Sequence, residues 1–194
     1  MPKAKRTRNS VRKIIQFERL IYDKTEYLIG DSVAIKQKGV IKGYGKITKI
    51  WRNRKINDGF IKIRWYYTPD QIFKDVPDFI SNRELFESNH SQHLSVQTIS
   101  GKIEVLSIEK YCQQHKTDKN IHFVRSFYIK ESGLLIPSIE EWDKVCLCKK
   151  AFNPDKLMVR CDICLKKFHT ECTGYNISSG SNWFCKQCIN NSLN

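Results

Sequence analysis

Between residues 14 and 135 the apolar positions fall in short runs broken by turn residues, the texture of strands rather than of amphipathic helices. Residues 15–22 and 27–29 flank Asp23-Lys24-Thr25-Glu26, which predicts a hairpin. Gly30-Asp31 leads into a strand over 33–35. Gly39, Gly43 and Gly45 punctuate the next stretch, and a strand resumes over 46–51. Asn57-Asp58-Gly59 is a turn signal ahead of Phe60-Ile61-Lys62-Ile63-Arg64-Trp65-Tyr66-Tyr67, the clearest strand of the chain, which Pro69 ends. Further strands are predicted at 96–99, 103–106 and 121–129, with short helical turns at 84–87 and 139–143. The sum is a mainly β, barrel-like domain over 14–135.

Past a linker at 136–143 the pattern changes. Residues 144–190 hold few aliphatic side chains, too few for a hydrophobic core to sustain so short a segment. They hold instead Cys146-x-Cys148, Cys161-x-x-Cys164, His169-x-x-Cys172 and Cys185-x-x-Cys188. Four close pairs offer eight soft or borderline ligands, which is what two tetrahedral zinc ions take. Two structural Zn2+ ions are therefore the expected cofactors, and their binding, roughly 10–16 kcal/mol per ion in finger peptides, is the folding energy of such a module. Spacing alone leaves open which pairs share an ion. Cys112, His115 and His122 match no metal-binding spacing, nor does His90-x-x-His93, and neither set is assigned a metal.

Charge narrows the partners. Lys and Arg number 34 against 20 Asp and Glu, a formal +14, which seven thiolates and two divalent ions would bring to roughly +11. A chain so basic favours polyanions. With no apolar run long enough to cross a bilayer, nucleic acid or chromatin is the expected anion and no membrane partner is expected. Residues 1–13 carry Lys3, Lys5, Arg6, Arg8, Arg12 and Lys13 with no acid, and are expected to form a disordered basic tail suited to nuclear import or phosphate contact. Ten Lys or Arg residues lie between Lys36 and Arg64 against the single acid Asp58, a density that can engage the DNA phosphate backbone. The amino-terminal Met1-Pro2-Lys3-Ala4-Lys5-Arg6 lacks the apolar core of a secretory signal, so the cysteines are expected to be reduced, in the nucleus or cytosol. No Ser-His-Asp set, phosphate loop or carboxylate pair argues for catalysis, and the chain is not expected to be an enzyme.

The ligand order Cys-Cys-Cys-Cys-His-Cys-Cys-Cys, with Phe168 before the histidine and Trp183 two residues before Cys185, resembles a plant homeodomain (PHD) finger. RING ubiquitin ligases place the histidine one ligand earlier. The resemblance implies a cross-brace: Cys146, Cys148, His169 and Cys172 on one ion, Cys161, Cys164, Cys185 and Cys188 on the other. A sequential pairing satisfies the same chemistry on paper. Gly30-Asp31-Ser32-Val33, Arg64-Trp65-Tyr66-Tyr67-x-Pro69 and Asn82-Arg83-Glu84-Leu85-Phe86-x-Ser88-x-His90 resemble segments of a bromo-adjacent homology (BAH) domain. A BAH domain running into a PHD finger is similar to a group of plant chromatin readers, and Asn153-Pro154-Asp155-x-Leu157-Met158-Val159-x-Cys161 fits that group too.

The resemblance implies a nuclear histone reader and adaptor that binds a histone tail or nucleosome within a chromatin complex. Its methyllysine cage would be Trp65 and Tyr67, two apart on one strand, with Tyr44 as third wall and His90 beside the peptide. The implied mark is the repressive trimethyllysine that Polycomb-type enzymes place on histone H three. From periodicity alone the same two aromatics, in step with Ile61 and Ile63, read as core. In the finger, Phe152, Leu157, Met158, Val159 and Asp162 are the peptide-contact candidates, through β-augmentation, with Asp155 as a further acid. Val145 and Lys167 replace the aromatics that trimethyllysine-binding fingers of this type usually carry. A cation there repels a quaternary ammonium, and weak or absent binding of that mark by the finger is expected. The alternative function is a scaffold subunit of a chromatin-modifying or DNA-binding complex without methyllysine readout.

Overall fold

The computed structural model describes residues 14–55, 57–114, 118–176 and 182–192. The basic tail of 1–13 and His115 lie outside them. By compactness the chain divides into two units: the chain up to Tyr66 with Asn89–Glu104, and Tyr67–Ser88 with Val105 onward.

Among its described residues the first unit is built of strands, with one 3-10 turn at Val96–Thr98. β1 (Ile14–Phe17) pairs antiparallel with β5 (Val40–Asn53), and β2 (Arg19–Tyr22) forms a hairpin with β3 (Thr25–Leu28). The hairpin turn is tighter than predicted. Asp23 and Lys24 both take positive φ (46° and 60°), a two-residue connection whose twist matches the strands it joins. β4 (Ser32–Gln37) and β6 (Asp58–Tyr67) flank β5 on either side, both antiparallel to it, and β8 (Ile99–Ser107) pairs with β4. The glycines at 43 and 45, read as punctuation, lie inside one long β5. Side chains on the inward face of these strands interlock as the core: Tyr27, Val33, Ile35, Ile47, Ile50, Ile61, Ile63 and Ile99, every one 3% exposed or less. Burying an aliphatic side chain of this size is worth about 1.5–3 kcal/mol, so this isoleucine-rich layer is the main stabilising mass of the unit.

The second unit mixes sheet with short helical turns. β7 (Glu84–Ser95) runs parallel to β9 (Ile121–Ile129) over Glu84–Ser88, and β10 (Leu134–Ile136) adds antiparallel to β9. The helical turn predicted at 84–87 is thus strand, whereas in the first unit the strand predicted at 96–99 opens as a 3-10 turn, Val96–Thr98. The turn predicted at 139–143 is present as a 3-10 turn over Ile139–Glu141. α1 (Pro69–Ile72) starts behind a Thr68 and Gln71 capping box, and α2 (Ile108–Gln113) behind Ser107, whose side chain accepts from the Lys110 N–H. Ile80, Phe86, Trp142 and Ala151 form one core. Beneath it Arg125 donates to both carboxylate oxygens of Glu84 (2.7 and 2.6 Å), which is fully buried, and stacks its guanidinium 3.8 Å from the Trp142 ring.

The cysteine-rich segment belongs to this second unit. β11 (Met158–Arg160) pairs antiparallel with β12 (Lys167–His169), followed by α3 (Thr170–Thr173) and α4 (Lys186–Ser192). The sequence boundary at 136–143 is not where compactness divides the chain. The Arg125 guanidinium also donates to the Phe152 carbonyl at 2.6 Å, Asp155 accepts from Tyr111 at 2.8 Å and from the Ser81 hydroxyl, and Lys150 reaches Asp78 at 2.7 Å. Among the described residues no helix is long and apolar enough to cross a membrane.

Candidate functional site

Two clusters of ligand atoms are assembled by the short strands and turns of the finger. Cys146, Cys148, His169 and Cys172 form one, Cys161, Cys164, Cys185 and Cys188 the other, with the ligand atoms of each set within 4.8 Å of one another. The pairing interleaves along the chain, so the cross-brace expectation holds and the sequential alternative is excluded. A zinc ion held at about 2.3 Å by four sulfurs keeps them about 3.8 Å apart. Cys164 and Cys185 stand at that distance, 3.8 Å, and His169 Nδ1 is 3.4 Å from Cys148 and 3.8 Å from Cys172. Nδ1, not Nε2, faces the sulfurs.

The thiols themselves ask for a cation. Burial opposes ionisation of Cys161, yet the backbone N–H groups of Cys164, Cys185 and Ile163 aimed at its sulfur prevail and bring it to about 6. Burial and the neighbouring thiols push its partner Cys188 up to about 12, and the same causes hold Cys172 at about 11 in the other set. Four sulfurs this close cannot all ionise against one another. A divalent ion removes that conflict, and the donor set fits zinc. With every position filled by protein, each cluster is a closed, structural type of site.

The aromatic strand is divided by its pleat. On β6, Trp65 lies directly opposite Gly45 of β5, while Tyr66 lies opposite Tyr44. Opposite residues share a face and neighbours alternate. Tyr44 therefore stands on the face of Tyr66, away from Trp65, and the expectation of Tyr44 as third wall is wrong. The flanking glycine is the residue beside Trp65: a Cβ on Gly43 would come 3.1 Å from the Trp65 ring. Tyr66 is buried and shares a hydrogen bond with Ser32 at 3.0 Å.

Trp65 itself is half-buried. One side packs against the isoleucine core, while its ring N–H donates to Gln92 at 3.1 Å and its ring lies 6.4 Å from that of His90. It thus packs on the core, as periodicity suggests, without being fully buried there. Tyr67, two residues further along β6, tilts against Tyr128 at 4.9 Å, and burial raises its phenol so that it stays neutral.

Of the finger's candidates, Val159 is buried against Phe168, so only its backbone is offered to a peptide. Leu157 is 68% exposed. Asp162 accepts from the Trp183 N–H at 2.8 Å while its own N–H donates back to Trp183, which makes it a brace of the second cluster. Asp155 is engaged with Tyr111 and Ser81. Neither acid is an unpartnered peptide anchor. Phe152 and Met158 do come together with Lys167 around one recess of about 190 Å³, completed by Cys112, Pro154, Lys156 and Arg160.

The basic density between Lys36 and Arg64 also acquires a geometry. Across β5 and β6, Lys46 lies opposite Arg64 and Lys49 opposite Lys62. Like charges placed so repel, and an anion on that face relieves them. Sequence reasoning misses the buried Glu84–Arg125 pair altogether, since nothing in an isolated glutamate or arginine announces a partner forty-one residues away.

Among known proteins, the family model described as BAH domain matches residues 25–135 of this chain, and that described as PHD-finger matches residues 146–188. The Arabidopsis thaliana chromatin remodeling protein SHL is 28% identical over 97% of this chain and 82% of its own length. The chromatin remodeling protein EBS of the same plant is 30% identical over 68% of this chain, which spans 57% of that protein's length. Among solved structures, the yeast Rsc2 BAH domain superposes with a TM-score of 0.49 at 14% identity, covering 61% of this chain and 53% of that one.

Proposed function

This chain belongs to the BAH-domain family and carries a PHD finger, and on that premise we propose that it is a nuclear, non-enzymatic chromatin reader and adaptor. Its likeness to two plant proteins named for chromatin remodeling supports the setting. The finger holds two structural zinc ions through Cys146, Cys148, His169 and Cys172 and through Cys161, Cys164, Cys185 and Cys188. The BAH module takes a trimethylated lysine of a histone tail, most simply the Polycomb-type repressive mark of histone H three, through the aromatic pair Trp65 and Tyr67 with His90 beside the peptide.

The observation that carries this reading is the placement of Trp65. Trp65 is only partly buried: it packs on the isoleucine core, donates its ring N–H to Gln92 and sets its ring 6.4 Å from that of His90. An indole face is the best aromatic surface for a quaternary ammonium, worth about 0.5–2 kcal/mol. The bare backbone at Gly43 leaves the methyl groups fewer walls, so modest affinity is expected, to be raised by a second contact through the finger. The like-charge pairs on β5 and β6 add attraction to DNA phosphates that falls steeply with salt.

Calorimetric titration of the zinc-loaded chain with histone-tail peptides, unmodified and trimethylated at each candidate lysine, tests the reading. Methyl-dependent binding is expected to vanish in Trp65→Ala and to survive in Tyr44→Ala, whose ring stands on the other face. If all peptides bind alike or none binds, the reader assignment fails and the chain is a scaffold subunit.

A further inference from the structure

The recess where Phe152, Met158 and Lys167 meet has the wrong charge for a methylated ammonium and the right one for its opposite. Three of its seven lining residues are cations, Lys156, Arg160 and Lys167, and none is an acid. Arg160 and Lys167 are direct partners across β11 and β12, so their side chains rise from the same face with Cβ atoms about 5 Å apart. A like-charge pair in that position costs stability, and neither member forms an ion pair with any described residue. Lys156 is only partly compensated, with Asp78 and Glu171 both 3.6 Å away. Phe152, Pro154 and Met158 supply an apolar wall, and the volume of about 190 Å³ suits a single side chain.

We propose that this recess is an anion site that takes the phosphorylated side chain of a serine or threonine in an extended peptide. A phosphoryl group brings nearly two negative charges and three acceptor oxygens, enough to satisfy the fork of Arg160 and the ammonium of Lys167 together, while a carboxylate brings one charge and two oxygens. The apolar wall accommodates the carbon stem. A DNA strand offers singly charged phosphodiesters in a continuous row, whereas this recess has the volume of one side chain and an apolar wall for its stem, so a peptide is the favoured source. The inference stands whether or not Trp65 reads methyllysine, because it uses other residues and the opposite charge.

The test is nuclear magnetic resonance of the full zinc-loaded chain, labelled with nitrogen-15. It is titrated separately with capped phosphothreonine, capped glutamate, capped trimethyllysine and a short DNA duplex. Saturable shifts confined to Phe152, Met158, Arg160 and Lys167 are expected with phosphothreonine, at least tenfold weaker with glutamate and absent with trimethyllysine. Both cations are exposed, so Arg160→Gln with Lys167→Gln is expected to keep its zinc and its spectrum yet lose the response at least tenfold, while Lys167→Arg retains it. The proposal is overturned if phosphothreonine gives no saturable response at these residues, or if the double variant responds as the parent does. Tighter binding of the duplex at the same residues would overturn it in favour of a nucleic-acid site.

Discussion

At Gly45 the space for one methyl group is already taken. A Cβ built there lies 2.7 Å from Cδ1 of Ile63, which is fully buried in the core of the first unit, and 3.3 Å from the Arg64 carbonyl oxygen. Gly45→Ala is expected to destabilise the protein by about 1–3 kcal/mol, the usual cost of overpacking a filled core. Urea unfolding followed by tryptophan fluorescence would read this, with Gly101→Ala, which meets nothing within 4 Å, as the control that should barely move. The same strand shows how narrow the margin is when a site is read from sequence. Tyr44 and Gly43 differ by one position, and in a pleated strand one position decides the face. With Gly43, Tyr44 and Gly45 in a row there is no apolar alternation to fix the register, so sequence reasoning puts Tyr44 on the face of Trp65 when it stands on that of Tyr66. Trp65 and Tyr67 are legible on one strand because Ile61 and Ile63 run in step with them.

On the scale of elements, β7 is the instructive case. Glu84, Leu85, Phe86 and Ser88 are all buried, so the strand has no polar face to alternate with an apolar one, and the sequence reads as a helical turn. What permits a glutamate at 0% exposure is Arg125 on the neighbouring β9. Burial pushes the Glu84 carboxyl upward and the two hydrogen bonds from Arg125 pull it back. Arg125→Met removes that pull, leaves the Phe152 carbonyl without its donor, and is expected to cost about 3–5 kcal/mol. The pH dependence has a definite sign. With its folded pKa raised above the unfolded one, Glu84 in the variant binds its proton more tightly when folded, so the deficit is largest at neutral pH and shrinks on acidification toward pH about 5. Equal deficits at both pH values would show that the carboxylate is not the source. The finger's elements are legible by contrast, because metal ligands announce themselves by residue type and spacing rather than by periodicity.

For the whole molecule the question is what zinc holds up. The second unit packs the finger's Ala151 into the core of Ile80, Phe86 and Trp142, and ties Phe152 and Asp155 to Arg125, Tyr111 and Ser81. Chelation is therefore expected to strip hydrogen-exchange protection from Phe86, Phe123 and Trp142 as well as from residues 146–188, with Val33, Ile47 and Ile61 of the first unit as internal reference. Retained protection on β9 after chelation would make the finger a mere appendage. The bond from Arg125 to the Phe152 carbonyl also bears on inheritance. Genes for multi-domain proteins are commonly thought of as strings of interchangeable cassettes, and the stretch near Pro137 is where a splice would be drawn here. A recombinant joined at that point would inherit a buried guanidinium from one parent and the carbonyl meant for it from another, with no selection having fitted the two. The two modules of this chain are thus expected to descend as a single lineage, and phylogenies built separately from residues 25–135 and 146–188 should branch in the same order.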